Sequence, residues 1–247
     1  MTAYELMVKT NHHLIKGGAL TDRQKGIVVN RLLAARAAPE QANRFYSGVN
    51  YPKNAGESRC MYPVFYIPPY DGNKKLRTIF GQTPNTHILS ANMYELEILR
   101  LLVLFKPGDQ AVADMVNKTL ERLKKTCFGN DRCGTGECFD ASLVTLRFLT
   151  AAAPGDSKWI QSRVDNYNNH VNEKKRAWHP LWYFWLCLSE APPHIAEPEI
   201  LKYKDEMLSW QDAADGGSEI ARPNRAKIRA AGPVLVNTVK NCLRRLP

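Results

Sequence analysis

A tripeptide written twice constrains this chain more than any other feature. Pro107-Gly108-Asp109 recurs as Pro154-Gly155-Asp156, 47 positions later, and the leucine-rich segments ahead of the two copies align. Leu96, Leu99, Arg100 and Leu102 stand where Leu143, Leu146, Arg147 and Leu149 stand in the second copy. Each copy then enters a more polar periodic segment, Ala111 to Lys125 in the first and Lys158 to Glu173 in the second. A third, looser copy runs from Leu181 to Leu188, stops at Pro192-Pro193 and is followed by Glu199 to Trp210. Stacked helical hairpins produce such spacing, because a single hairpin cannot bury its apolar face alone. The expected fold is mainly α: an array of antiparallel helical hairpins over 86–210, stacked as in a solenoid. The leucine segments form its inner layer and the one-sided segments, such as Val112, Val116, Leu120 and Leu123, its outer layer.

The flanks read differently. In 1–50, Leu6, Met7, Leu14 and Ile15 recur at helical spacing, and Thr21-Asp22-Arg23-Gln24 fits a capping box ahead of a second helix. Glu40 to Val49 adds a short helix. Over 51–85 the composition turns to Pro, Gly, Tyr and Asn, and one small β-hairpin is expected there, with strands at Tyr62 to Ile67 and Lys75 to Phe80. Such a hairpin serves as a brace or as a flap beside a cavity. The last segment, 211–247, reads as a polar linker and a basic tail: Arg222 to Arg245 holds no acidic residue. That tail is expected to be less ordered than the repeats and dispensable for folding. The whole is expected to make one compact domain.

Composition narrows the class of function. No run approaches the ~18 apolar residues of a membrane span, and Met1 to Gly17 lacks the apolar centre of a secretory signal. A cytoplasmic protein with reduced thiols is the expectation. The net charge of +10 favours an acidic partner, whether nucleic acid, an anionic membrane surface, another protein or a phosphorylated or carboxylated ligand.

If each repeat runs up an inner helix and down an outer one, the segments leading into the inner helices lie side by side. They hold His87, Ser90, Asn92 and Glu95 in the first repeat, Cys138 and Asp140 in the second, and Trp178, His179 and Trp182 in the third. Converging helix N-termini supply unpaired N–H groups suited to an anion. Cys138, Asp140 and His179 are the candidate catalytic groups: a thiol at a helix start has a lowered pKa, with a histidine as base. His87, Ser90, Asn92, Glu95, Trp178 and Trp182 are the candidate ligand-binding groups. In the plainer structural reading, Ser90, Asn92 and Asp140 are N-caps. Cys127, Cys133 and Cys138 form a cluster with acids among them and zinc is the cofactor it would take, but their C-x5-C-x4-C spacing matches no usual zinc pair. No metal is assigned.

Over Thr86 to Trp210, this alternation of inner and outer helices resembles the α/α toroid of terpenoid cyclases and protein prenyltransferases. In the prenyltransferases an Asp, a Cys two positions on and a later His bind zinc; here Cys138 precedes Asp140, with His179 later. The resemblance implies the architecture, here a partial α/α toroid. Two functions follow from the residues: a small, anionic or apolar ligand held at the inner-helix N-termini, with or without catalysis, or a basic helical scaffold for nucleic acid or a protein partner.

Overall fold

The computed structural model of the chain describes residues 1–38, 59–68, 76–81, 83–84, 86–130, 139–171, 178–214 and 222–246. The protein is mainly helical, with ten α-helices among the described residues. They are α1 (Ala3–Ile15), α2 (Asp22–Ala34), α3 (His87–Phe105), α4 (Gln110–Leu123), α5 (Phe139–Ala152), α6 (Ser157–Val171), α7 (Trp178–Glu190), α8 (Pro193–Lys202), α9 (Lys204–Ala214) and α10 (Arg222–Leu243).

Local chemistry sets the helix starts. Thr2 with Glu5, and Thr21 with Gln24, form full capping boxes at α1 and α2. Asp109 accepts from Val112 N at 3.0 Å and Asp156 from Trp159 N at 3.1 Å, so both repeated Pro-Gly-Asp turns end in a cap. Gly108 adopts φ 81°, which a Cβ would disfavour. In α3 the cap is Thr86, whose hydroxyl accepts from Leu89 N at 3.0 Å. The helix therefore begins before Ser90 and Asn92, which lie inside it and are not N-caps.

Packing follows the repeat. In α3 every residue from Leu89 to Leu102 is buried, whereas α4 buries one stripe of Val112, Met115, Val116, Thr119 and Leu123. Leu96, Leu99, Leu143, Leu146, Phe184 and Leu188, the residues the recurrence places at the centre, are all buried. Helix α3 packs on α5, α5 on α7 and α7 on α10; α4, α6 and α8 each pack on the helix that precedes them. α1 touches both α3 and α10, the two ends of that row.

Two expectations change. Among the described residues there is no strand: after a 3-10 turn at Arg59–Met61, residues 62–67 and 76–80 run irregularly, and the expected turn from Pro68 to Asn73 lies, after Pro68, outside the described residues. The amides a ladder would use at 64–66 are bound by the Glu95 carboxylate instead. The segment is nevertheless a brace: Tyr66, Thr78, Ile79 and Phe80 are buried, Tyr4 Oη donates to Arg77 O at 2.9 Å and His12 Nε2 to Ile79 O at 2.6 Å. The Glu40 to Val49 helix also lies outside the described residues.

The second change concerns the basic tail. It forms α10, interrupted at Gly232 (φ 64°, ψ −164°) before Pro233, and its last part docks. Val234, Leu235, Val239 and Cys242 are buried, and Asn241 Nδ2 donates to Ile15 O at 3.0 Å. Arg245 donates to the carbonyls of Leu188, Ser189 and Ala191 at 3.2, 2.6 and 2.5 Å, capping the C-terminus of α7. From Val234 onward the segment is packed against the rest of the chain, where a loose tail was expected.

Candidate functional site

The N-terminal turns of α3, α5 and α7 carry the expected groups in unequal condition. His87 is exposed at the first position of α3; Ser90, Asp140 and Trp182 are buried. Cys138 lies outside the described residues, as do the side chains of Trp178 and His179, whose backbone opens α7. Trp182 packs on Phe80 and Trp210, with ring centroids 6.4 and 5.5 Å away. Its indole N–H is buried and meets no acceptor among the described residues. A buried donor left unpaired costs about 1–3 kcal/mol.

Asn92 and Glu95 are engaged in holding the brace. Glu95 Oε2 accepts from the amides of Val64, Phe65 and Tyr66 at 2.9, 2.6 and 3.1 Å, and its Oε1 accepts from Arg122 Nη2 at 3.1 Å. Three successive N–H groups turned on one carboxylate make an anion nest, filled here by a side chain of the same protein. Arg122 Nη1 donates to Cys60 O and to Asn92 Oδ1, both at 3.0 Å. Asn92 Nδ2 completes the set by donating to Met61 O and Ile88 O, each at 2.8 Å.

A second polar cluster lies deeper, where α1, α3, α5 and α7 meet. Arg147 donates through Nη1 to both oxygens of Glu97, at 2.8 and 2.7 Å, and through Nε and Nη2 to Glu190, at 2.9 and 2.8 Å. Arg100 Nη2 reaches the same Glu190 at 2.8 Å, and its Nη1 donates to Asn11 Oδ1 at 3.2 Å. Tyr183 Oη donates to Glu97. Two cations face two anions, so the cluster is neutral. Glu190, 22% exposed, is its most open member.

The fields in this cluster are strong. Burial alone would raise the Glu190 carboxyl, but Arg100 and Arg147 outweigh it and hold it below the ordinary carboxylate value. Burial would lower Arg147, yet Glu190 and Glu97 hold it well above its ordinary value. Burial, with Glu97 beside it, pushes the Tyr183 phenol well up. Burial also drives the thiols of Cys187 and Cys242 up, the latter to about 12, which suits packing and not nucleophilic attack.

Sequence reasoning missed this cluster. Its signal was present: an arginine at the same place in two otherwise apolar repeats, Arg100 and Arg147, is costly unless each meets a carboxylate. A buried Arg163 was missed as well. It bonds Phe128 O at 3.2 Å and Asn130 O at 2.8 Å, and burial lowers it to about 10.

Among the described residues no group of three His, Cys, Asp or Glu could hold a metal, but Cys133 and Cys138 lie outside them. The structure adds one neighbour to the cysteine-rich turn: Cys60 Sγ donates to Lys125 O at 3.5 Å, two residues from Cys127. No helix among the described residues is long and apolar enough to cross a membrane. Compared with known protein families, with curated proteins and with solved structures, the chain matches none.

Proposed function

We propose that this protein is an array of helical hairpins, a partial α/α toroid whose two ends are bridged by α1, which holds a small anionic or apolar ligand at the N-terminal turns of α3, α5 and α7. The observation that carries this reading is the Trp182 indole N–H, buried one turn into α7 without an acceptor among the described residues. A ligand oxygen there would complete it. The charges around Glu97, Arg147 and Glu190 neutralise one another, and those around Glu95 and Arg122 hold the brace, so both sets act chiefly within the chain, although Arg100 Nε and Arg122 Nε also meet no acceptor among the described residues. Ser90 and Asp140, buried at helix starts, are the further groups in this reading, with Cys138, His179 and Trp178 beside them in the chain order.

A thermal-shift survey of small carboxylates, phosphates and apolar ring compounds tests it. A compound that raises the melting temperature of the wild type and fails to raise that of Trp182→Phe and Asp140→Asn supports the reading. A compound that stabilises all three equally binds elsewhere and overturns it. The basic-scaffold reading rests on the net charge of +10, and nucleic-acid binding that falls steeply with salt favours it.

A further inference from the structure

Away from that end, α1 and α2 part around an open cleft of about 250 Å³. Its floor is apolar, made of Leu6, Leu20, Ile27 and Val28, and Ile27 is 49% exposed beside it. Its rim carries Lys9 and His13. The wall on the His13 side is fixed: the imidazole is seated on Gly18, where a Cβ would stand 2.4 Å from the ring, and Nε2 donates to Ala19 O at 3.3 Å.

Size and charge decide the occupant. Small-molecule pockets run to roughly 300–1,000 Å³ and enclose their ligands; this cleft is smaller and open, the size of one or two side chains. No carboxylate lines it. The one acid of each helix is bonded outside the cleft, Glu5 on Thr2 N at 2.8 Å and Asp22 on Lys25 Nζ at 3.1 Å, and of the two only Glu5, one turn away, is drawn to Lys9. A lysine beside an apolar floor that no carboxylate lines complements the opposite pattern.

We infer that the α1–α2 cleft docks an acidic amphipathic helix of a partner protein, seating one large apolar side chain against Leu6 and Ile27 with carboxylates facing Lys9 and His13. This is the helix-in-groove mode, in which apolar anchors at helical spacing fix the partner and flanking charges orient it.

The probe is a fluorescein-labelled 16-residue helical peptide of Leu, Glu and Ala, with Leu at every third and fourth position and Glu between. Anisotropy is read for the full chain and for Ile27→Asp, Lys9→Glu and Lys118→Glu, the last an exposed lysine on α4 that controls for general attraction to a basic protein. Saturable binding is expected, weakened at least about tenfold by Ile27→Asp and Lys9→Glu, unchanged by Lys118→Glu, and abolished when the peptide leucines become Ala. All three variants are at exposed positions, and unchanged melts establish that they fold. No binding, equal weakening by all three variants, or equal binding of the Leu-free peptide overturns the proposal. So does a concentration-dependent dimer that Ile27→Asp dissolves, which would assign the cleft to a second copy.

Discussion

Arg147 and Glu97 meet in the core with Arg147 Nη1 2.8 and 2.7 Å from the two carboxylate oxygens, and neither side chain reaches solvent. Their helices, α5 and α3, pack extensively on each other, and α7 joins them through Tyr183 and Glu190. The pair therefore fixes how three helices register.

Breaking that pair from one side is expected to be severe. Arg147→Met leaves Glu97 buried and without its guanidinium, and Glu190 with one cation instead of two, for a loss of about 3–5 kcal/mol in urea unfolding. Adding Glu97→Gln to Arg147→Met should cost less than the sum of the single variants, because the second change removes the charge the first exposed. Additive losses would show that the two side chains do not act as a unit.

Acid should act through Glu190. Its folded pKa lies below the ordinary 4.5, so its contribution to stability is present above about pH 4.5 and is lost as pH falls through the folded value. Between pH 5 and 3 the wild type should therefore lose stability more steeply than Glu190→Gln, which begins weaker but has no such proton to bind. Parallel pH profiles would contradict the assignment.

Glu95 is expected to hold the brace, directly through its amides and indirectly through the buried Arg122. In Glu95→Ala the amides of Val64, Phe65 and Tyr66 lose their acceptor, so their hydrogen exchange should quicken by orders of magnitude while α5 and α7 stay protected. Uniform acceleration across the protein would instead make Glu95 part of the global core.

Removing residues after Gly232 should unfold the chain. Val234, Leu235 and Val239 are buried, and at about 1.5–3 kcal/mol each their loss approaches the whole stability of an ordinary domain. Arg245→Ala should be milder, about 1–3 kcal/mol for the caps on α7. A truncated chain with an unchanged melting temperature would restore the dispensable tail.

Helices α3 and α5 were legible because near-complete burial leaves a largely apolar run, and the Pro-Gly-Asp turns because a left-handed Gly108 and a capping Asp109 have chemical signatures. The brace was misread as strands because residues 62–67 have the right composition, and only the distant Glu95, some thirty positions on, decides where their amides go. Arg245 looked like a solvated charge for the same reason: the α7 carbonyls it caps lie more than fifty positions away. Asn92 and Glu95 drew notice as polar groups at a helix start, and the structure gives each a full set of partners within the chain.

The central claim is that the N-terminal turns of α3, α5 and α7 hold a small ligand, and native mass spectrometry of the freshly purified protein, with metal analysis of the same sample, tests it most directly. The account predicts one bound small molecule or ion per chain in the wild type and its loss in Trp182→Phe and Asp140→Asn. A chain at its bare sequence mass, together with nucleic-acid affinity that collapses between low and physiological salt, would contradict it.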